Sequence, residues 1–267
     1  MGLTLSHQSA LDALRRLRLD GVDVRNQATP VTLHAPSLWT GERWSRRLFE
    51  DPSWHWDVPC KTDPLHVVVS NWAERPRTTL IKAHACMGDI PAGSFVWLDE
   101  HTSMVSPGLL FVQMASVLQF SSLVLLGYEL CGNFTRDAHD PRNGPVRINV
   151  PVAITAEELR AYVQSASGIH GLRVARRAAK LVAGNALSAP EAVIAAMCAL
   201  PVAQNGYGVG LVELNRRVWV REESQGRVAK FRVPDIMLPI APVGFNYDGQ
   251  DHLDLNALAE ATLKKVG

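Results

Sequence analysis

The chain has 267 residues, enough to bury a sizeable core, and its length suggests two domains. Hydrophobic residues make up 47% and charged residues 20%, a balance that excludes an intrinsically disordered chain. The formal net charge of +1 excludes a globally basic protein, so any surface for nucleic acid has to be local.

The chain opens with a short expected helix over residues 6–19. Ala10, Leu11, Leu14 and Leu17 fall at helical spacing, Arg15, Arg16 and Arg18 lie on the other side, and Ser6 is placed to cap it. No apolar leader precedes this helix, which makes a cytoplasmic location the expectation. Residues 20–63 have no clear period. Arg43, Trp44, Arg46 and Arg47 form a basic, aromatic patch there, read more readily as a docked amphipathic segment than as a DNA contact.

Val67, Val68 and Val69 after His66 mark a buried strand, and residues 78–83 and 94–98 mark two more. Ser106 followed by Pro107 is a helix start, because proline at the first helical position lacks only an N–H that has no partner there. A second apolar helix is expected over 122–130, ended by a left-handed Gly132. The most apolar run, residues 114–130, is too polar and too short to span a bilayer. Residues 136–153 read as a connection.

Thr155 and Glu158 have capping-box spacing and open a helix to about Ala166. The next helix, residues 172–182, carries Arg173, Arg176, Arg177 and Lys180, either a solvated face or a grip on phosphate. Ser188 to Glu191 opens a further helix, followed by strands expected at 211–220, 228–235 and 243–248. The four cysteines, Cys60, Cys86, Cys131 and Cys198, lack short ligand spacing and read as reduced thiols.

Hard cations such as magnesium need converging oxygen ligands, and residues two apart on a strand face the same way. Asp235 at the end of one strand, Asn246 and Asp248 on the next, and Glu191 on the preceding helix form such a candidate set, with His252 close behind. Each also has a plain structural reading. Asp248 with Gly249 is turn chemistry, and Glu191 suits the first turn of a helix.

The runs SAPEAVIAAMCALP, GYG, ELN, VPDIMLP and GFNYDGQDH resemble, in their order, PD-(D/E)XK restriction-endonuclease-like proteins of the very-short-patch-repair type. The upstream runs DPLHVVVS, VSPGLLFVQMASVL and LLGYELCG are similar to the middle of those proteins and to abortive-infection type IV antitoxins. The resemblance covers about residues 65–260. It implies an α+β chain with an N-terminal segment (1–64), an antitoxin-like α+β domain (65–150), and a helical linker with a partial restriction-endonuclease-like core (151–267).

The resemblance further implies a magnesium- or manganese-dependent DNA endonuclease in which Glu191, Asp235 and Asp248 hold the metal. Asn246 stands where the family has glutamate, and the C-terminal end is short for the family, so both departures weaken the expected activity. The alternative is a non-catalytic DNA-binding regulator of the antitoxin kind, using the N-terminal arginines or the helix from Arg173 to Lys180 to bind phosphate; a protein-interaction module, with a homo-oligomer or partner protein, is the third.

Overall fold

The computed structural model describes residues 3–27, 49, 54, 56–69, 72–99, 102–220, 230–238, 240 and 243–247. The chain is α+β and divides into two compact units, Met1–Leu211 and Val212–Gly267. The boundaries expected near residues 64 and 150 both fall inside the first unit, because the N-terminal strand and the helices after residue 150 share its core. Among the described residues, no helix is long and apolar enough to cross a membrane.

The first unit is built on a five-stranded mixed sheet. Its strands are β1 (Leu3–Leu5), β2 (Leu65–Val69), β3 (Ile81–Ala85), β4 (Phe95–Trp97) and β5 (Thr102–Val105), in the spatial order β3-β2-β1-β5-β4. β1 runs parallel to β5 and antiparallel to β2, while β2 and β3 are parallel. Every residue of β1 and β5 is buried, so both faces are covered at the sheet centre. The polar pair this creates is satisfied: the hydroxyls of Thr4 and Ser103 lie opposite each other, 2.8 Å apart. Neither strand has a readable period in sequence, because each is only three or four residues long and carries polar residues that are buried in pairs.

Six helices follow the sequence pattern closely: α1 (His7–Leu19), α2 (Pro107–Met114), α3 (Phe120–Cys131), α4 (Ala156–Ser165), α5 (Leu172–Ala179) and α6 (Ala189–Ala199). The Ser106 hydroxyl accepts from the Leu109 amide at the start of α2. Thr155 and Glu158 form a complete capping box on α4. α1 packs on β2 and on α2, and α3 packs against α2, α5 and α6.

The end of α3 departs from expectation. Gly132 is extended, with φ −103° and ψ 169°, and forms no left-handed cap. Its small size matters instead, since a Cβ there would stand 2.7 Å from the Tyr128 carbonyl oxygen and 2.8 Å from that of Ala186. Arg18 from α1 satisfies the helix end, donating to the carbonyls of Glu129 (2.9 Å), Gly132 (2.7 Å) and Pro151 (3.0 Å). Burial lowers its pKa to about 10.

Gly171 does need glycine, because it combines φ +86° with an approach that would put a Cβ 2.7 Å from the Val112 carbonyl oxygen. Gly171→Ala is therefore expected to destabilise the protein by about 2 kcal/mol or more, read as a lower urea midpoint at unchanged slope.

The second unit contains β8 (Glu213–Leu214), β9 (Val218–Val220), β10 (Lys230–Arg232), β11 (Ile236–Leu238) and β12 (Val243–Phe245). β11 pairs antiparallel with both β12 and β8, and β9 pairs with β10 in a separate ribbon. The long strand expected over 211–220 is broken at Asn215. That residue is left-handed (φ 52°), and its amide donates to the Asp235 carbonyl. β6 (Phe134–Thr135) and β7 (Arg147–Ile148), in the first unit, pair across the expected connection.

Candidate metal centre

The residues expected to bind magnesium are divided between the units. Glu191 lies in the first, where its carboxylate accepts from the Leu187 amide (3.1 Å) and the Ser188 hydroxyl (2.7 Å) at the start of its own helix. Asp235 and Asn246 lie in the second and are brought together at the β11–β12 hairpin. Asn246 Oδ1 accepts from the Asp235 amide (3.1 Å), and Asp235 Oδ2 accepts from the Tyr247 amide (2.7 Å), which pins the strand register. Asp248 and His252 lie outside the described residues, as do Arg43, Trp44, Arg46 and Arg47.

The cations of α5 have separate surroundings. Arg173, Arg177 and Lys180 are exposed, with Arg177 over the Phe120 ring at 5.2 Å. Arg176 donates to the carbonyls of Val163 (2.7 Å) and Ala166 (2.8 Å) at the end of α4, so it acts as a helix cap.

A different group of ligand-type side chains converges in the first unit. His66 stands on β2 and His84 on the adjacent parallel strand β3, two residues beyond Lys82, the register partner of His66. Alternation along the strands places both imidazoles on one face. β1 lies on the other side of β2 and feeds directly into α1, so the first helical residue, His7, enters above the same face. The backbone is fixed there by Ser6 N–H to the His66 carbonyl (3.0 Å), His7 N–H to Gln113 Oε1 (3.2 Å) and His66 N–H to Ser9 Oγ (2.9 Å).

Among the described residues, these three histidines are the one group of three or more metal-ligand side chains whose ligand atoms all lie within 4.8 Å of one another. Nε2 of His84 and Nδ1 of His66 share a hydrogen bond at 3.1 Å, and the rings of His7 and His84 stack at 3.7 Å. Two nitrogens bound to a tetrahedral zinc at about 2.0–2.1 Å stand roughly 3.3 Å apart. The His66–His84 separation is close to one edge of such a shell.

Backbone strain accompanies the cluster. His7 has φ 46°, a left-handed conformation that a bulky non-glycine residue rarely adopts. Such outliers persist where the surroundings over-determine them, and they concentrate at functional sites.

The electrostatics keep the rings neutral. Burial, then His84, His66 and Lys82, push the His7 pKa down to about 3. Burial, then His66 and Lys82, push His84 down to about 4. Burial and Lys82 also lower His66. Neutral imidazole is the form that carries a free lone pair for a metal.

His7 and His84 form part of the wall of a cavity of about 330 Å³, with Gln113, Ser116 and His170 also lining it. Its rim is held by two loops that pair through Asp89 and Ser167, with amide-to-carbonyl bonds of 3.0 and 3.2 Å and a 2.7 Å bond from the Ser167 hydroxyl to the Asp89 carboxylate. Gly88 lets them meet, since a Cβ there would lie 2.5 Å from the Ser167 carbonyl oxygen.

No short spacing in the sequence links the three histidines to one another, since His7, His66 and His84 come from three separate segments. The one usable signal is a pair of histidines on valine- and alanine-rich strands that prove to be adjacent. No family model matches this chain, and no curated protein or solved structure matches it.

Proposed function

We propose that the first unit is a metalloprotein with a three-histidine centre, and that it uses a bound zinc-type ion to activate water for hydrolysis. The observation that carries this reading is the convergence of three imidazoles, His7, His66 and His84, with two of them lining a cavity. Three histidine ligands with an open fourth position are a known catalytic arrangement for zinc. Neutral ligands leave the ion its full charge, which lowers the pKa of a bound water to roughly 7.

A zinc-type ion held by His7, His66 and His84 would supply a water of lowered pKa as the nucleophile for hydrolysis of an acyl compound, one water being consumed as the bond to the leaving group is cut. His170 is exposed on the wall of the same cavity.

The magnesium endonuclease expected from the family resemblance draws less support. The side chains of Asp235 and Asn246 bond hairpin amides, and Glu191 bonds the start of its own helix.

The test is zinc titration by calorimetry with metal analysis. One ion per chain is expected. His84→Ala and His66→Ala should each weaken binding by roughly 100-fold or more, beyond the 10–100-fold typical of losing an outer-shell partner. The zinc-loaded protein should also hydrolyse p-nitrophenyl acetate faster than the metal-free protein or either variant. Binding that both variants retain would refute the centre, and tight binding without turnover would leave the metal a structural role only.

A further inference from the structure

We infer that a second cavity of the first unit, between α1, α2, α3 and the 136–146 loop, binds a small amphipathic anion: an apolar chain or ring bearing one carboxylate. The cavity measures about 460 Å³, inside the roughly 300–1,000 Å³ range of small-molecule sites. Leu11, Leu118 and Leu125 give it an apolar wall.

Its polar lining is unbalanced in charge. Arg15, Arg136 and Arg142 line it together with a single carboxylate, Glu129. That carboxylate is already saturated. Arg15 holds both its oxygens at 2.8 and 2.9 Å, and the Arg136 amide donates to Oε1 at 3.2 Å. Two further carboxylates, Asp12 and Asp137, act on Arg15, and Arg136 Nε lies 3.8 Å from Glu129 Oε2, so the charges of Arg15 and Arg136 are answered locally. Arg142 makes no ion pair among the described residues.

The cavity therefore offers apolar surface beside one arginine, Arg142, that has no ion pair among the described residues. Apolar surface recognises a hydrocarbon body, and a guanidinium recognises a carboxylate through paired N–H donors. A buried ion pair adds little net stability compared with apolar packing. The Arg15–Glu129 pair is better accounted for as the element that holds the cationic wall in place.

Calorimetry with octanoate tests this, set against octylammonium (same chain, opposite charge) and propionate (same head group, short chain). Octanoate should bind saturably at one per chain, with and without zinc, and each comparison compound should bind at least about tenfold more weakly. Arg142→Glu alters an exposed loop residue, so it should keep the wild-type melting temperature while losing about tenfold in octanoate affinity. Equal binding of octanoate and octylammonium would reduce the cavity to a non-specific apolar surface. The absence of saturable octanoate binding, or an Arg142→Glu variant with unchanged affinity, would overturn the proposal. None of these outcomes bears on the histidine centre.

Discussion

Glu129→Ala is expected to destabilise the protein by about 3–5 kcal/mol, the range for removing one partner of a buried ion pair. Glu129 and Arg15 retain only 3% and 7% side-chain exposure, so the pair is largely shielded from bulk water. Burial alone would raise the Glu129 pKa. The bonds and charge of Arg15, with help from the Arg136 amide and charge, outweigh it and hold the carboxylate below its usual range. Alanine would leave the Arg15 guanidinium buried without its counter-charge, while Arg18 stays buried nearby on the carbonyls of the same helix end. The double variant Arg15→Met/Glu129→Leu replaces the pair by apolar groups of similar size and should recover most of the loss. Urea denaturation of the two proteins decides the matter. A single-variant loss under about 1 kcal/mol would mean that solvent reaches the pair after all.

That ion pair also marks how far the sequence could be read. The helices were legible because their starts are local: Ser106 with Pro107, Thr155 with Glu158 and Ser188 with Pro190 all fix a helix within one turn. The α+β character followed from the same signals together with the valine run of β2. The arginines of α1 were readable only as a polar face, yet Arg15 and Arg18 are buried, and their partners lie at Glu129, Gly132 and Pro151. No local pattern encodes contacts at that separation. The three histidines were hidden for the same reason, since only the insertion of β1 beside β2 brings His7 over His66 and His84. The expected carboxylate set has a different origin. It was assembled from order along the chain, and each described member has a local bond that accounts for its position.

Lowering the pH from about 6.5 toward 3 in chelator should destabilise the protein relative to His7→Asn by roughly 3 kcal/mol, at about 1.4 kcal/mol per pKa unit with allowance for residual solvent. The sign follows from the direction of the shift. His7 has a folded-state pKa near 3, below its ordinary value of 6.5. Between those values the unfolded chain binds the extra proton and the folded chain does not, so stability is lost as pH falls through this window. Below about pH 3 the folded state is protonated as well and the slope disappears. Asp12 works against this trend in the parent protein. Burial raises its pKa to about 6, and its contribution to stability improves on acidification from about pH 6 to its ordinary value of 3.8. Asp12 is present in both proteins, so the difference between them removes its contribution and reports His7 together with its coupling to His84 and His66. Asparagine suits the test because it tolerates the left-handed backbone at position 7 better than most residues. A flat difference curve would mean that the ring is screened by solvent, and the three imidazoles would not be held neutral by burial. A sloping curve carries a consequence for the metal. With His7 near pH 3 and His84 near pH 4, protons do not compete for these two ligands in the folded state until well into the acid range. Stabilisation by zinc should then persist to about pH 5, where surface histidines, with ordinary pKa values near 6.5, have already become protonated.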